Sequence, residues 1–550
     1  MTANASGSAS FQAADRPLPS FGVAFEDMVV PRLLERRAAE MPDREFLVYG
    51  DESWTFGAVE AAAARIAGGL AGLGVAHGTR VGLFLPNCAE FVNCYFAAAK
   101  LGAPTVPINT AYRGYMLEYV LNDTGCRFLI VDAAYLDRVR DALPTLESLE
   151  CVIVRGEIDG LPTLDGVTTI ALRAVDGDAV ATRPEVASDD VSCVIYTSGT
   201  TGPSKGVPLT NGHSVAKAIE VIRLCEIGED DCIYAPVPLF HSFALQRGVV
   251  TAVVAGCRCA LRERFSASGY WDDVRRLGAT VGFCVFTIPQ ILKKATPTPA
   301  DRDHTLRCLY NARYDPEFEE RFGIRLVEGY GLTEAGVAIY ARPGERTPPG
   351  SCGRVSEDWE VRLVDDLDRD VPVGEPGEIV IRPRYPGLIM PGYLNKPEAT
   401  VAAWRNLWFH TGDLASVDGE GFYTFQDRKK DAIRRRGENV SSWEVEQVLR
   451  EHEAVAEAAA VPYPSPLGED DVRVVITLNE GAQLTAEELL AFCVERLPEF
   501  MVPRYVEFRE ELPRTPTGRV EKYRLREEGL GPGAHDRGDP REQRHIAPAQ

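Results

Sequence analysis

A chain of 550 residues that is 45% apolar and 25% charged has the composition of an ordinary globular protein with several domains and sizeable cores. Its 81 acidic residues outweigh 59 basic ones, and the formal charge of −22 repels a nucleic-acid backbone or an anionic membrane over most of the surface. No run of about eighteen apolar residues is present to form a membrane span, and Met1 to Ala14 lack the apolar core of a secretory signal.

The two ends, residues 1–22 and 527–550, are polar and rich in small residues or Gly and Pro, and are predicted to be disordered. Between them apolar bursts alternate with helical periods. An amphipathic stretch from Phe56 to Leu73 precedes a strand Val81 to Leu85, a helix Glu90 to Leu101, a strand Thr105 to Pro107, a helix Gly114 to Asn122 and a strand Phe128 to Val131. That alternation predicts parallel sheets covered by helices, and a second such region runs from about Val191 to Tyr340. From Cys352 to Tyr423, short strands between Gly/Pro turns predict a β-rich subdomain.

A dense charge run follows Arg428 and marks a domain boundary. Beyond it lie a helix Ser442 to Glu453, strands Ala456 to Val461 and Val472 to Leu478, and a helix Thr485 to Arg496. The expected fold is therefore α/β. A large domain, residues 23–428, holds two helix-covered sheets and the β-rich subdomain; a small, mobile α+β domain, residues 429–526, follows. The thirteen cysteines are odd in number and set mostly in apolar stretches, which predicts reduced, core-packed thiols and a cytoplasmic protein. Cys257 and Cys259 have no further His or Cys cluster to complete a zinc site and are expected to pack in a strand.

The most informative segment is Tyr196 to Val207, which reads YTSGTTGPSKGV and follows an apolar strand. Its glycines let the backbone approach an anion closely. Successive N–H groups and hydroxyls can surround phosphate oxygens, and Lys205 adds a mobile positive charge. The glycine and lysine spacing is not that of the nucleotide triphosphatase P-loop. A mobile Gly/Ser/Thr surface loop does not account for so many residues in this order.

This stretch resembles the signature phosphate loop of the AMP-forming adenylating superfamily, which includes acyl-CoA synthetases, firefly luciferase and the adenylation domains of peptide synthetases. Pro238 to His241, Glu328 to Glu334 (EGYGLTE), Thr411 to Asp413, Asp427 to Asp431 and Gly437 to Asn439 are similar to further family motifs in the expected order. The resemblance covers roughly residues 25–526 and is nearest to carnitine and crotonobetaine-type CoA ligases. It implies that Thr197, Ser198, Gly199, Thr200, Thr201, Gly202 and Lys205 hold the phosphates of ATP. Asn311, Ala312, Arg313, Glu328, Tyr330 and Gly331 would line the adenine site. Thr333 and Glu334 would take the metal end, with Glu334 a hard oxygen ligand for Mg²⁺, and Asp413 and Arg428 the ribose.

By the same resemblance His241 lies between the phosphate loop and an acyl pocket walled by Phe243, Gln246, Phe286, Thr287 and Pro289. Lys430 takes the place of the hinge on which the small domain swings, and Gly437 the place where the chain approaches the pantetheine of coenzyme A. Arg434, Arg435 and Arg436 either meet the CoA phosphates or serve solubility. Attack of a carboxylate on a phosphate brings two anions together, so these roles amount to positioning and charge neutralisation.

Two departures from the pattern stand out. The adenine segment reads Asn311-Ala312-Arg313-Tyr314-Asp315-Pro316, and the helix after it is about one turn of ~3.6 residues short. Such a floor would suit a small or doubly anionic substrate. The adenylation lysine that the family places after a glycine is here Arg519, with Lys522 close by, so either is a candidate. The implied reaction is ATP- and Mg²⁺-dependent activation of a carboxylic acid as an acyl-adenylate, followed by transfer to coenzyme A. Two other readings stay open: activation of nitrite, a small anion, for attack by an aromatic amine, and a nucleotide-binding pseudo-enzyme. A separate carrier protein also stays open as acceptor.

Overall fold

The computed structural model describes residues 22–156, 163–178, 184–197, 203–285, 287–312, 314–345, 347–428, 432–465, 468–514 and 520–538. Among these, two seven-stranded sheets form the body of the large domain. One runs in the order Thr168–Ala171, Cys151–Arg155, Phe128–Asp132, Val81–Phe84, Thr105–Pro107, Val191–Thr197, Lys205–Thr210. Its strands are parallel except for the last, which folds back antiparallel on Val191–Thr197. The other runs Arg325–Val327, Cys308–Tyr310, Val281–Phe283, Cys232–Ala235, Arg258–Leu261, Glu45–Tyr49, Glu52–Thr55, again parallel except at its final edge.

Two helices are buried on almost every side, Ala89–Lys100 and Asn211–Cys225. A helix with no solvated face must be packed all round, and one continuous apolar core joins these helices to both sheets. Lys100, buried within it, holds Glu35 and Glu60 at 2.7 Å each. The β-rich subdomain is antiparallel, with Gly377–Pro383 between Trp359–Val364 and Trp408–Val417, and Tyr423–Arg428 added at the side of Trp408–Val417.

The C-terminal part begins with a hairpin, Ala432–Arg435 and Glu438–Ser441, and the helix Ser442–Arg450. A four-stranded sheet of Val455–Pro464, Asp470–Leu478, Tyr505–Phe508 and His535–Asp536 follows, with the helix Ala486–Arg496 capped by Thr485 and Glu488 in a reciprocal box. It has an apolar core of its own, into which Met116 of the large domain inserts.

Several expectations need correction. Residues 527–538, expected to be disordered, complete a helix and add the strand His535–Asp536 to the edge of the sheet. Asp536 is tied there to Arg504 and Arg537 to Glu499, at 3.1 Å each. Arg435, placed at a CoA or solvent edge, is buried instead, where it pairs with Asp471 at 3.0 Å and donates to the Val502 carbonyl at 2.6 Å. All thirteen cysteines are buried and free, and Cys259 lies in the strand Arg258–Leu261. Among the described residues no helix is long and apolar enough to cross a membrane.

Candidate active site

The strands on either side of the phosphate-loop motif pair antiparallel. Val191–Thr197 pairs with Lys205–Thr210 so that Thr197 lies opposite Lys205. Ser198, Gly199, Thr200, Thr201 and Gly202 fall outside the described residues, as do Arg313, Phe286, Lys430 and Arg519. Thr197 and Lys205 therefore fix the two posts of the turn. Gly206 is needed for packing, because a Cβ there would meet Val194, Tyr196 and Leu394 at 3.1–3.2 Å.

Lys205 reaches across to a residue that the sequence analysis did not single out. Its Nζ sits 4.5 Å from the centre of the Tyr393 ring, and the Tyr393 hydroxyl donates to Glu334 at 3.0 Å. The Met390 amide donates to the Glu334 carbonyl at 2.8 Å. Burial, with the charge of Glu334 beside it, pushes the Tyr393 phenol far above its ordinary range, so it remains a donor. The post of the hairpin and Glu334 thus stand on either side of one aromatic ring. The signal was present in Gly392-Tyr393-Leu394, an aromatic directly after a Gly-rich turn, but nothing local ties it to Glu334.

A second group is built from the strand Gly329–Gly331 and the β-rich subdomain. The Tyr330 hydroxyl donates to Asp413 at 2.7 Å, and the Tyr330 ring lies 6.3 Å from Phe425 at 25°, a parallel offset pair. Asp413 is buried in Trp408–Val417, directly opposite Arg428 in the neighbouring strand. Gly412 precedes it with φ +74° and donates to Glu378 of the neighbouring strand Gly377–Pro383 at 3.1 Å. Asn311 adopts φ +67° at the end of Cys308–Tyr310, and its backbone and that of Ala312 both donate to the Val327 carbonyl. Glu328 accepts from the Tyr314 amide at 3.2 Å. These contacts bring Asn311 and Ala312 against the strand that leads to Glu328, and join Tyr330 to Asp413.

His241 stands at the mouth of the next wall. Buried Asn87 fixes the segment before it, donating to the Val237 carbonyl at 2.9 Å and accepting from the Leu239 amide at 2.7 Å. His241 then starts the short helix Ser242–Ala244, whose Phe243 forms a ring cluster with Phe283 and Tyr310, all centroids 5.4 Å apart.

The small domain is docked on this region. The Glu438 carboxylate lies 3.0 Å from His241 Nε2. Gly437, at φ +80°, is so close to Val285 that a Cβ would meet its side chain at 3.1–3.2 Å. One helical turn later, buried Glu444 accepts both from the Ser204 amide, at 2.9 Å, and from the Ser204 hydroxyl. Lys522 is engaged within the small domain itself, with Glu446 at 2.6 Å and Ser442 at 2.8 Å.

A large α/β domain with a glycine- and hydroxyl-rich hairpin, overlaid by a small α+β domain at the same strand ends, defines a two-domain nucleotide-using enzyme. The chain belongs to the AMP-binding enzyme family: the model for AMP-binding enzymes matches residues 34–394, and that for the AMP-binding enzyme C-terminal domain matches residues 444–519. It is 34% identical to the crotonobetaine/carnitine–CoA ligase of Salmonella typhi over 82% of this chain and 89% of that one. Among solved structures it is similar to o-succinylbenzoate CoA synthetase from Bacillus subtilis. With the double mutant bound to a CoA product analogue the TM-score is 0.78 at 28% identity, covering 90% of this chain and 98% of that one. With the same enzyme in complex with ATP and magnesium it is 0.64 at 27% identity and the same coverage.

Proposed function

We propose that this chain, an AMP-forming acid–CoA ligase by family and by its relatives, divides its reaction between a fixed wall on the large domain and a lid that presents different residues in turn. The substrate is a carboxylic acid, and the cosubstrates are ATP and coenzyme A. Neither nitrite activation nor a silent nucleotide binder is favoured by the family or the relatives.

In this reading the hairpin from Thr197 to Lys205 holds the phosphates with its N–H groups, hydroxyls and ammonium. Tyr330 and the strand ends from Asn311 to Gly331 take the adenine, and Asp413, already a hydrogen-bond acceptor, takes the ribose hydroxyls with Arg428 beside it. Glu334 and Thr333 face the phosphate end. The donor set fits a divalent cation: Glu334 is a carboxylate next to a hydroxyl, and a relative with this fold is known in complex with ATP and magnesium. Bound there, Mg²⁺ would neutralise charge on the phosphate oxygens. The chain's own residues fix an in-line approach of the acid between His241 and the phosphates and exclude water behind the Phe243, Phe283 and Tyr310 rings. Arg519 or Lys522 would serve the bridging oxygens after the lid turns about Lys430, which places the division of domains at residues 428–429.

The observation that carries this reading is the seat of Gly437 on Val285 beside His241. A glycine with φ +80° and no room for a side chain is what a narrow passage for a thiol arm needs, and the docked arrangement scores nearer to the relative that holds a CoA product analogue than to its ATP-bound form. The test is AMP release over a panel of acids with ATP. Release that requires both an acid and CoA is the expected result. Release driven by nitrite and an aromatic amine without CoA would overturn it.

A further inference from the structure

Behind the Gly329–Gly331 strand and the aromatic wall lies a cluster of buried cations that the reaction described above does not use. Lys217, in the helix Asn211–Cys225, is fully buried and donates to the Thr333 carbonyl at 2.6 Å. One turn earlier on the same face, His213 is fully buried, with the Ala335 backbone beside its ring. From the facing helix, a π-helical turn Leu245–Val250 brings Gln246 and Arg247 to the same place. Gln246 is fully buried, donates to Cys193 Sγ at 2.9 Å and leaves its Oε1 without a partner. Arg247 is 9% exposed, its Nε has no partner, and one of its terminal nitrogens lies 3.0 Å from where a Cβ at Gly331 would stand.

The carboxylates that answer these charges are Glu220 and, beside Lys217, Glu334. Glu220 is the buried carboxylate on the same helix, and it already accepts from the Val337 amide at 2.8 Å and the Trp359 indole at 3.4 Å. Burial, with Arg247 nearby, brings the Lys217 ammonium down to about 7, and burial with Lys217 and Arg247 keeps His213 neutral, the Ala335 backbone opposing. A guanidinium cannot shed its proton, so Arg247 stays charged behind the aromatic wall. Arg247 stands between Gly331 and Tyr310 of the aromatic wall, so its guanidinium reaches the boundary of the acyl pocket.

We propose that Arg247 and Gln246, with the Lys217 ammonium behind Thr333, form an anion-accepting floor to the acyl pocket, and that the acid activated here is a short one bearing a second carboxylate. This rests on the acid–CoA ligase reading and names its substrate class. Arg247 touches the distal carboxylate; Lys217 is a positioning residue that acts through Thr333 and through the local potential.

The test compares size-matched pairs, glutarate with valerate and phthalate with benzoate, by ATP–pyrophosphate exchange and by CoA-dependent AMP release. The diacid of at least one pair is expected to win by at least about tenfold in kcat/KM. Arg247→Gln should erase that preference while the KM for ATP holds, and Arg247→Lys should keep part of it. Lys217→Met should raise the KM for the diacid more than it lowers kcat, which a purely structural role would not do. Equal or better use of the monocarboxylate partners by the native enzyme overturns the anion floor and leaves the ligase reading intact, and that comparison stands even where a variant fails to fold. Exchange with no acid at all, or AMP release indifferent to CoA, overturns the ligase reading and this inference with it.

Discussion

Two segments of the small domain stand in opposite situations. The hairpin that ends in Ser441 and the first turn of Ser442–Arg450 press onto the large domain through Gly437, Glu438 and Glu444. The segment entering Lys522–Glu528 does not: Lys522 is bound to Glu446 and Ser442 of that same helix. Residues two apart on a helix point to different sides, so Glu444 faces outward to Ser204 while Glu446 faces inward to Lys522. The helix works as a partition, and docking of its one side goes together with storage of the lysine on the other. In the proposed reading this is the arrangement for thiol transfer, with Lys522 held away from Ser204.

The largest expected effect comes from the part shared by both arrangements. Asp413→Ala removes the acceptor of the Tyr330 hydroxyl and the proposed ribose contact, and should lower both ATP–pyrophosphate exchange and thioester formation about 10²- to 10³-fold. A loss confined to one half-reaction would break the division between a fixed wall and an exchanging lid. Gly437→Leu should separate the two: a side chain pressed into Val285 at a left-handed backbone position costs thioester formation about 100-fold while exchange is unchanged. Equal loss in both assays would place Gly437 in the nucleotide wall instead.

Much of this was legible in the sequence because it is local. The alternation of apolar bursts and helical periods marks both parallel sheets, and Tyr196 to Val207 reads as an anion-cradling loop because an apolar strand precedes it and glycines and hydroxyls fill it. Asp413 and Tyr330 were found by motif, though their hydrogen bond joins strands 83 residues apart. What local pattern does not carry is the partner. Tyr393, Glu444 and Arg247 look like an ordinary aromatic, a helix-surface acid and a solvated cation until the fold brings Lys205, Ser204 and Gly331 against them. The same holds for Arg435, whose place in a run of three arginines suggests an exposed edge, and for His535 and Asp536, which are polar and Gly-flanked yet pair with a strand thirty residues earlier. Burial and charge pairing are tertiary properties, and a polar residue is inside only when its partner is too.

The Glu444 contact sharpens the comparison further, since Ser204 belongs to the phosphate hairpin. Its amide and hydroxyl can serve a phosphate oxygen or the Glu444 carboxylate, and a buried carboxylate at that place repels pyrophosphate. Departure of pyrophosphate and docking of the lid are therefore linked. Glu444→Ala leaves the Ser204 donors buried without an acceptor, at a cost of about 1–3 kcal/mol to the docked arrangement. Thioester turnover should fall roughly tenfold, and added pyrophosphate should inhibit the variant's transfer step more strongly than the native one. Unchanged inhibition would mean that Ser204 faces only the lid.

The smallest effect is one of pH, and it follows from the same two docking contacts. Burial disfavours a charged His241 ring, but the charge and hydrogen bond of Glu438 outweigh it, so the ring's pKa rises above 6.5 against the opposing charge of Arg434. Burial raises the Glu444 carboxyl above 4.5, with the Ser204 hydrogen bonds opposing. Each group holds its proton more firmly when docked than when released. The stability each adds is complete below its ordinary value and is lost as pH rises through the higher docked one. Acid should therefore favour the docked lid. Raising the pH from about 6 should loosen the His241 pair, since an imidazole changes charge in the physiological range. Energy transfer between labels on the two domains should fall over that interval, and His241→Asn should flatten the fall. A profile that rises with pH would reverse the sign and assign the docked arrangement to the charged form of Glu444.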